Sequence, residues 1–133
     1  MKTTIKAGLI TLATIALVQG AAIPNNAVMV STGSATVRHY TPAGVLVQTL
    51  IGGAGFMTGS AFDSTGNFYV TDFSGGVVKK YNNDAVFQSN TNAGGSPESI
   101  VFNAAGEFIV GSVAFGIRRF SALGVLLETD LAS

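Results

Sequence analysis

The chain has 133 residues, of which 47% are hydrophobic and 11% charged, with 17 glycines and no cysteine. Seven Lys and Arg residues balance seven Asp and Glu residues, so net charge gives no attraction to nucleic acid or to an anionic membrane. The absence of cysteine excludes disulfides, thiolate metal sites and a thiol nucleophile. This composition indicates one domain of short buried strands joined by tight turns, and we expect no cofactor.

The N-terminal segment has the three parts of a secretory signal peptide. A short basic start precedes the apolar run Ala7–Val18, and small residues follow at Gly20 and Ala22. The run is shorter than the roughly 20 apolar residues that a membrane-spanning helix needs. We therefore predict that residues 1–22 are removed during export, after Gly20 or Ala22. The mature protein, residues 23–133, is then secreted or periplasmic and does not contact the membrane.

After this segment the pattern predicts short β-strands and no helix. Apolar and β-branched runs alternate with Gly, Pro, Asn and Asp, because these four residue types favour the backbone conformations of tight turns. The predicted strands are Ala27–Ser31, Ala35–Tyr40, Val45–Ile51, Ser60–Asp63, Asn67–Thr71, Val77–Tyr81, Ala85–Ser89, Ser99–Phe102, Glu107–Gly111, Gly116–Phe120 and Val125–Thr129.

An internal repeat is the strongest signal in the chain. Thr58–Asp72 returns as Glu98–Ser112 at a spacing of 40 residues. Basic pairs recur in the same way at Arg38-His39, Lys79-Lys80 and Arg118-Arg119. A period near 40 with four short strands is typical of propeller blades. One such sheet cannot bury both of its faces alone, so blades must stack.

The repeated residues resemble a known family. Gly59–Asp72 is similar to the NHL repeat in its hairpin Asp63–Asn67 and in its strand Tyr69–Asp72, which also resembles the YWTD blade of receptor propellers. The resemblance covers residues 27–129 and departs at Gly111-Ser112. It implies an architecture rather than one function, because such propellers act as binding proteins, hydrolases and lyases.

The predicted fold is all-β, a β-propeller-like stack of four-stranded antiparallel blades with fewer than three blades present. The partial blade 27–57 lacks its innermost strand, and the blades 58–96 and 97–133 follow. Closed propellers have four to eight blades. Three explanations stay open: a piece of a longer gene product, a ring completed by further copies, or an open stack.

Several polar residues are candidates for a site. Asp63 and Asn103 follow the inner strands, where each is a metal or catalytic ligand or holds its hairpin through an Asx-turn. Asp72 ends its strand, where it binds a ligand or accepts backbone hydrogen bonds that fix the next loop.

The recurring basic residues are the other candidates. Stacked blades would align Arg38, Lys79 and Arg118 into a stripe for an acidic glycan or carboxylate, or would leave them as solvated strand edges. We take Asp72, Arg38, Lys79 and Arg118 as the candidate ligand-binding residues. Since His39 is the only histidine and no G-x-S-x-G motif occurs, no catalytic residue and no metal site is predicted.

These observations predict an exported binding or interaction module without catalysis of its own. Its partner would be a protein, a glycan, or other copies of the chain that complete a ring. The alternative is a fragment of a lactonase-like propeller hydrolase or lyase that needs further blades.

Overall fold

A computed structural model describes residues 20–51 and 55–130. Most of the predicted signal peptide, residues 1–19, lies outside this part of the chain. The described residues form three antiparallel sheets and contain no helix. The sheets stack in an open arrangement, which confirms the predicted all-β, propeller-like fold class.

Each sheet is a meander whose strands are neighbours in sequence order. The first sheet has three strands, β1 Val28–Ser31, β2 Thr36–Tyr40 and β3 Leu46–Ile51. The second has four, β4 Met57–Phe62, β5 Phe68–Asp72, β6 Val77–Tyr81 and β7 Phe87–Asn92. The third has four, β8 Pro97–Phe102, β9 Phe108–Ser112, β10 Gly116–Phe120 and β11 Leu126–Thr129. The predicted count of three, four and four strands is confirmed.

Most strands begin or end one residue away from the predicted boundary, and three strands, β4, β7 and β8, differ from it by two or three residues. β4 and β8 begin at Met57 and Pro97, two or three residues early, and β7 runs on to Asn92. The segment that continues β7 is rich in Asn and Thr and has low strand propensity. It forms a strand because its backbone pairs with β6, where Asn92 lies opposite Val77. Tertiary pairing thus overrides local propensity here.

Each sheet has two faces, since successive side chains of a strand point to opposite sides. We call the face toward the preceding sheet the backward face and the face toward the following sheet the forward face. All five residues of β5 are buried. Phe68 and Val70 lie on the backward face, and Tyr69 and Thr71 lie on the forward face. The second sheet is therefore covered on both sides.

Two hydrophobic cores fill the spaces between the sheets. The core between the first and second sheets contains Ile23, Val37, Leu50, Met57, Phe68, Val70, Tyr81 and Ala85. The core between the second and third sheets contains Tyr69, Val78, Ala93, Ile100, Phe108, Val110 and Phe120. The Phe108 and Phe120 rings stack with their centroids 5.1 Å apart. Equivalent positions of the repeat thus build both cores.

The inner strands β4 and β8 approach each other closely. A Cβ atom at Gly59 would lie 2.6 Å from the carbonyl oxygen of Glu98, so this position requires glycine. Beside it, the Thr58 hydroxyl donates to the carbonyl of Pro97 at 2.9 Å. The first sheet has no strand equivalent to β4 and β8 among the described residues, as the repeat predicts.

Polar side chains in the turns accept hydrogen bonds that stabilise the hairpins. Asp63 accepts five hydrogen bonds, from the backbone N–H and side chains of Thr65 and Asn67 and from the Tyr69 hydroxyl. Asn103 accepts from the N–H groups of Ala105 and Glu107. Asn82, Thr41 and Ser121 fill the same place in other hairpins. The Asx-turn interpretation of Asp63 and Asn103 is confirmed.

We expect Asp63→Ala to lower the free energy of unfolding by about 1–2 kcal/mol, because it removes the carboxylate that accepts the hydrogen bonds of this hairpin. Ser64→Ala, at an exposed position of the same turn, is the control and should change stability by less than about 0.5 kcal/mol. Urea denaturation followed by circular dichroism measures both. Equal midpoints for the two variants would contradict the structural role of Asp63.

Candidate functional site

Asp72 is buried inside the fold, with 3% of its surface exposed. Its Oδ1 accepts a hydrogen bond from the Gly75 N–H at 2.8 Å, and its Oδ2 lies 3.4 Å from Lys79 Nζ. Gly55 and Gly75 come so close to the carboxylate that a Cβ at either position would collide with it. Asp72 thus fixes the loop after β5, which is the structural alternative that the sequence left open.

The candidate basic residues occupy equivalent positions on the backward faces of successive sheets. Val30, Val70 and Val110 are their cross-strand partners in the three sheets. Lys79 contacts Asp72, whereas Arg118 donates from Nη1 to the carbonyl oxygen of Ala93 at 2.8 Å. Arg38 is exposed on the backward face of the first sheet.

The four candidates therefore do not form one cluster. The structure brings Asp72 and Lys79 together, and it places Arg118 against the linker that follows β7. The guanidinium of Arg118 also lies over the Phe115 ring, 3.8 Å from its centroid. Of the three cations, only Arg38 points from an uncovered face.

The second residue of each basic pair lies on the forward face. In the second sheet, Lys80 Nζ lies 5.2 Å from the centroid of the Tyr69 ring. In the third sheet, Arg119 forms ion pairs with Glu107 at 3.2 Å and with Glu128 at 2.8 Å. These groups contact residues of their own sheets.

His39, the residue at this position in the first sheet, is 1% exposed. The Gln48 amide is oriented by Ala21, whose N–H donates to Gln48 Oε1 at 2.9 Å. Gln48 Nε2 therefore donates to His39 Nδ1, 3.2 Å away, so the imidazole accepts at Nδ1 and is neutral. Desolvation by burial lowers the pKa of His39 below its ordinary value of 6.5.

An open cleft lies between the N-terminal segment and the second sheet. It encloses about 570 Å³ and is lined by Ala22, Ile23, Pro24, Asn25, Thr65, Gly66 and Asn83. A smaller cleft of about 300 Å³ adjoins it and shares Asn25 and Gly66. The Ile23 N–H donates to the carbonyl of Asn83 at 2.6 Å, which holds the N-terminal segment in place. Asn25, Thr65 and Asn83 supply amide and hydroxyl groups to a lining that is otherwise mostly apolar.

The sequence did not indicate this cleft. Asn83 is recognisable as a turn residue, but nothing in the pattern relates it to Asn25, since the two meet only through tertiary packing. The ion pairs of Arg119 were missed for the same reason. In the described ranges, no group of three or more His, Asp or Glu side chains is arranged to hold a metal ion.

No family model and no curated protein matches the chain. The likeness to NHL blades therefore remains a hypothesis from the sequence. Within residues 20–51 and 55–130, no helix has the length and apolar character needed to cross a membrane.

The state of His39 predicts how stability depends on pH. Its pKa is lower in the folded than in the unfolded chain, so the unfolded chain takes up the proton first as the pH falls below about 6.5. We expect the urea midpoint to fall between pH 7 and pH 5, above the range in which carboxylates titrate. His39→Asn, which keeps a polar group near Gln48, should lose most of this slope. Parallel declines in the variant and the wild type would contradict the role of His39.

Proposed function

We propose that the chain is an exported interaction module built of NHL-like blades, which binds a protein or glycan partner and has no catalysis of its own. The observation that carries this proposal is which side chains the fold engages in internal contacts and which it leaves exposed. Asp63, Asp72 and His39, the groups best suited to catalysis, are engaged in contacts within the fold. Apolar side chains, in contrast, remain exposed on the outermost sheets.

The exposed apolar side chains support a protein partner. Val28 and Leu46 lie on the backward face of the first sheet and are 46% and 50% exposed, and Val101 lies on the forward face of the third and is 57% exposed. Exposed apolar side chains that share an uncovered sheet face mark interaction sites in soluble proteins. The partner would cover these sheets as the sheets of this chain cover one another.

The cleft supports a glycan as the second class of partner. Asn25 and Asn83 supply amide donors and acceptors, and Thr65 supplies a hydroxyl group. These neutral groups suit the hydroxyls of an uncharged sugar. An acidic glycan would instead require Arg38, the exposed cation on the first sheet.

The packing of the residues next to the expected cleavage point indicates where an exported chain would be cut. Ala21 pairs with Gln48 through both its N–H and its carbonyl group, and Ile23 is buried in the first core. Cleavage after Gly20 keeps both contacts, whereas cleavage after Ala22 removes the pairing with Gln48. We therefore propose Ala21 as the first residue of the mature protein.

Expression of the full chain in an exporting host tests this proposal. We expect intact-mass analysis of the protein outside the cytoplasm to give residues 21–133. A chain that keeps Met1 and stays with the cells would contradict export, and a first residue of Ile23 would contradict the proposed cleavage point.

The binding role is tested against the lactonase-like alternative. We expect saturable binding to at least one class of probe on arrays of extended peptides and of neutral and acidic glycans. We expect no turnover of a panel of five- and six-membered lactones, with or without Ca²⁺. Lactone hydrolysis that is lost in Asp72→Asn but kept in Asp84→Asn, an exposed control, would overturn the proposal.

A further inference from the structure

The inner part of the backward face of the first sheet, on β1 and β2, repeats a surface that is buried twice elsewhere in the chain. On this face Val28 lies opposite Tyr40, and Tyr40 lies opposite Leu46. The equivalent sets are Phe68, Tyr81 and Phe87 in the second sheet and Phe108, Phe120 and Leu126 in the third. In those two sheets the first two residues of each set are buried, whereas Val28 is 46% exposed. The outer residues Leu46, Phe87 and Leu126 are exposed in all three sheets, so the difference lies at the inner positions.

The forward face of the third sheet is the complementary case. Val101 lies opposite Ile109, and Ile117 lies opposite Gly111. The equivalent residues of the second sheet are Ala61, Tyr69, Val78 and Thr71. Of these, Tyr69, Val78 and Thr71 are buried against the third sheet. Val101 and Ile117 are 57% and 37% exposed, so the forward face of the third sheet is uncovered.

The charges on the two end faces are also complementary. Arg38 contributes one positive charge on the backward face of the first sheet. Arg119 with Glu107 and Glu128 leaves one negative charge on the forward face of the third sheet. A forward face meeting a backward face thus brings opposite charges together.

We infer that copies of this chain stack head to tail, with the forward face of the third sheet of one copy covered by the backward face of the first sheet of the next. This contact between two copies would have the same form as the contacts that join neighbouring sheets within one chain. A second copy therefore fits the uncovered faces better than an unrelated partner. Such a heterologous contact gives a ring if the rotation closes and a filament if it does not. The inference rests on the proposed interaction role and names the partner.

Three single variants of the full chain, purified from an exporting host, test this inference. Val28→Glu, opposite Tyr40, places a charge on the backward face of the first sheet, and Val101→Glu, opposite Ile109, places one on the forward face of the third. Leu123→Glu is the matched control, since Leu123 is 93% exposed in the turn between β10 and β11. Light scattering during gel filtration at several concentrations gives the mass, and thermal melts followed by circular dichroism report folding.

We expect the wild type and Leu123→Glu to form assemblies of at least three chains, and each face variant alone to be a folded monomer, because the interface would bury an unpaired charge. An equal mixture of Val28→Glu and Val101→Glu should then give a particle of two chains. In that particle the intact forward face of the first variant meets the intact backward face of the second, and both outer ends are blocked.

Three results would overturn the inference. The first is a wild type that stays monomeric at all concentrations. The second is a face variant that keeps the mass of the Leu123→Glu control. The third is a face variant that pairs with itself, since this indicates a contact between like faces. None of these results tests the proposed binding of a protein or glycan, which the array and lactone measurements decide separately.

Discussion

Every sheet of this protein is apolar on both faces, and the rest of the structure follows from that constraint. In the second sheet, β5 buries its side chains toward both neighbours. A single sheet cannot remove both faces from water, so the sheets must stack, and the gain is roughly proportional to the apolar area covered. Among the described residues the stack runs from the first sheet to the third, and the same constraint applies to its two outer faces.

The buried polar residues stabilise this stack through hydrogen bonds and ion pairs. Asp72 sits in a shell formed by Gly55, Gly75 and Lys79, and its carboxylate holds the loop at the end of β5. His39 lies between the first two sheets with its Nδ1 facing a donor. Buried groups with their hydrogen bonds satisfied in this way stabilise the fold and are closed to substrates. This is the physical reason to look for function on the surfaces rather than around these residues.

The strands and their grouping were predictable from the sequence because each depends on neighbouring residues. The turn residues mark the hairpins, and Phe62, Phe68 and Val70 recur one period later, which reveals the blades. The extension of β7 to Asn92 was not predictable, since it depends on pairing with β6 rather than on its own composition. The contact of Arg118 with Ala93 was likewise hidden, because it joins two repeats across a core.

The Asx-turns and their Ser and Thr equivalents have a consequence for how the chain folds. Within each sheet, every strand pairs with the next strand in sequence, and side chains such as Asp63 and Asn103 hold their hairpins together. Such contacts close short loops, which is the condition for rapid formation of hairpins in proteins of low contact order. Folding can therefore begin in any of the three sheets and spread to its neighbours, as in other repeat proteins. The hairpins of one sheet can thus form early, but they persist only once a neighbouring sheet covers them.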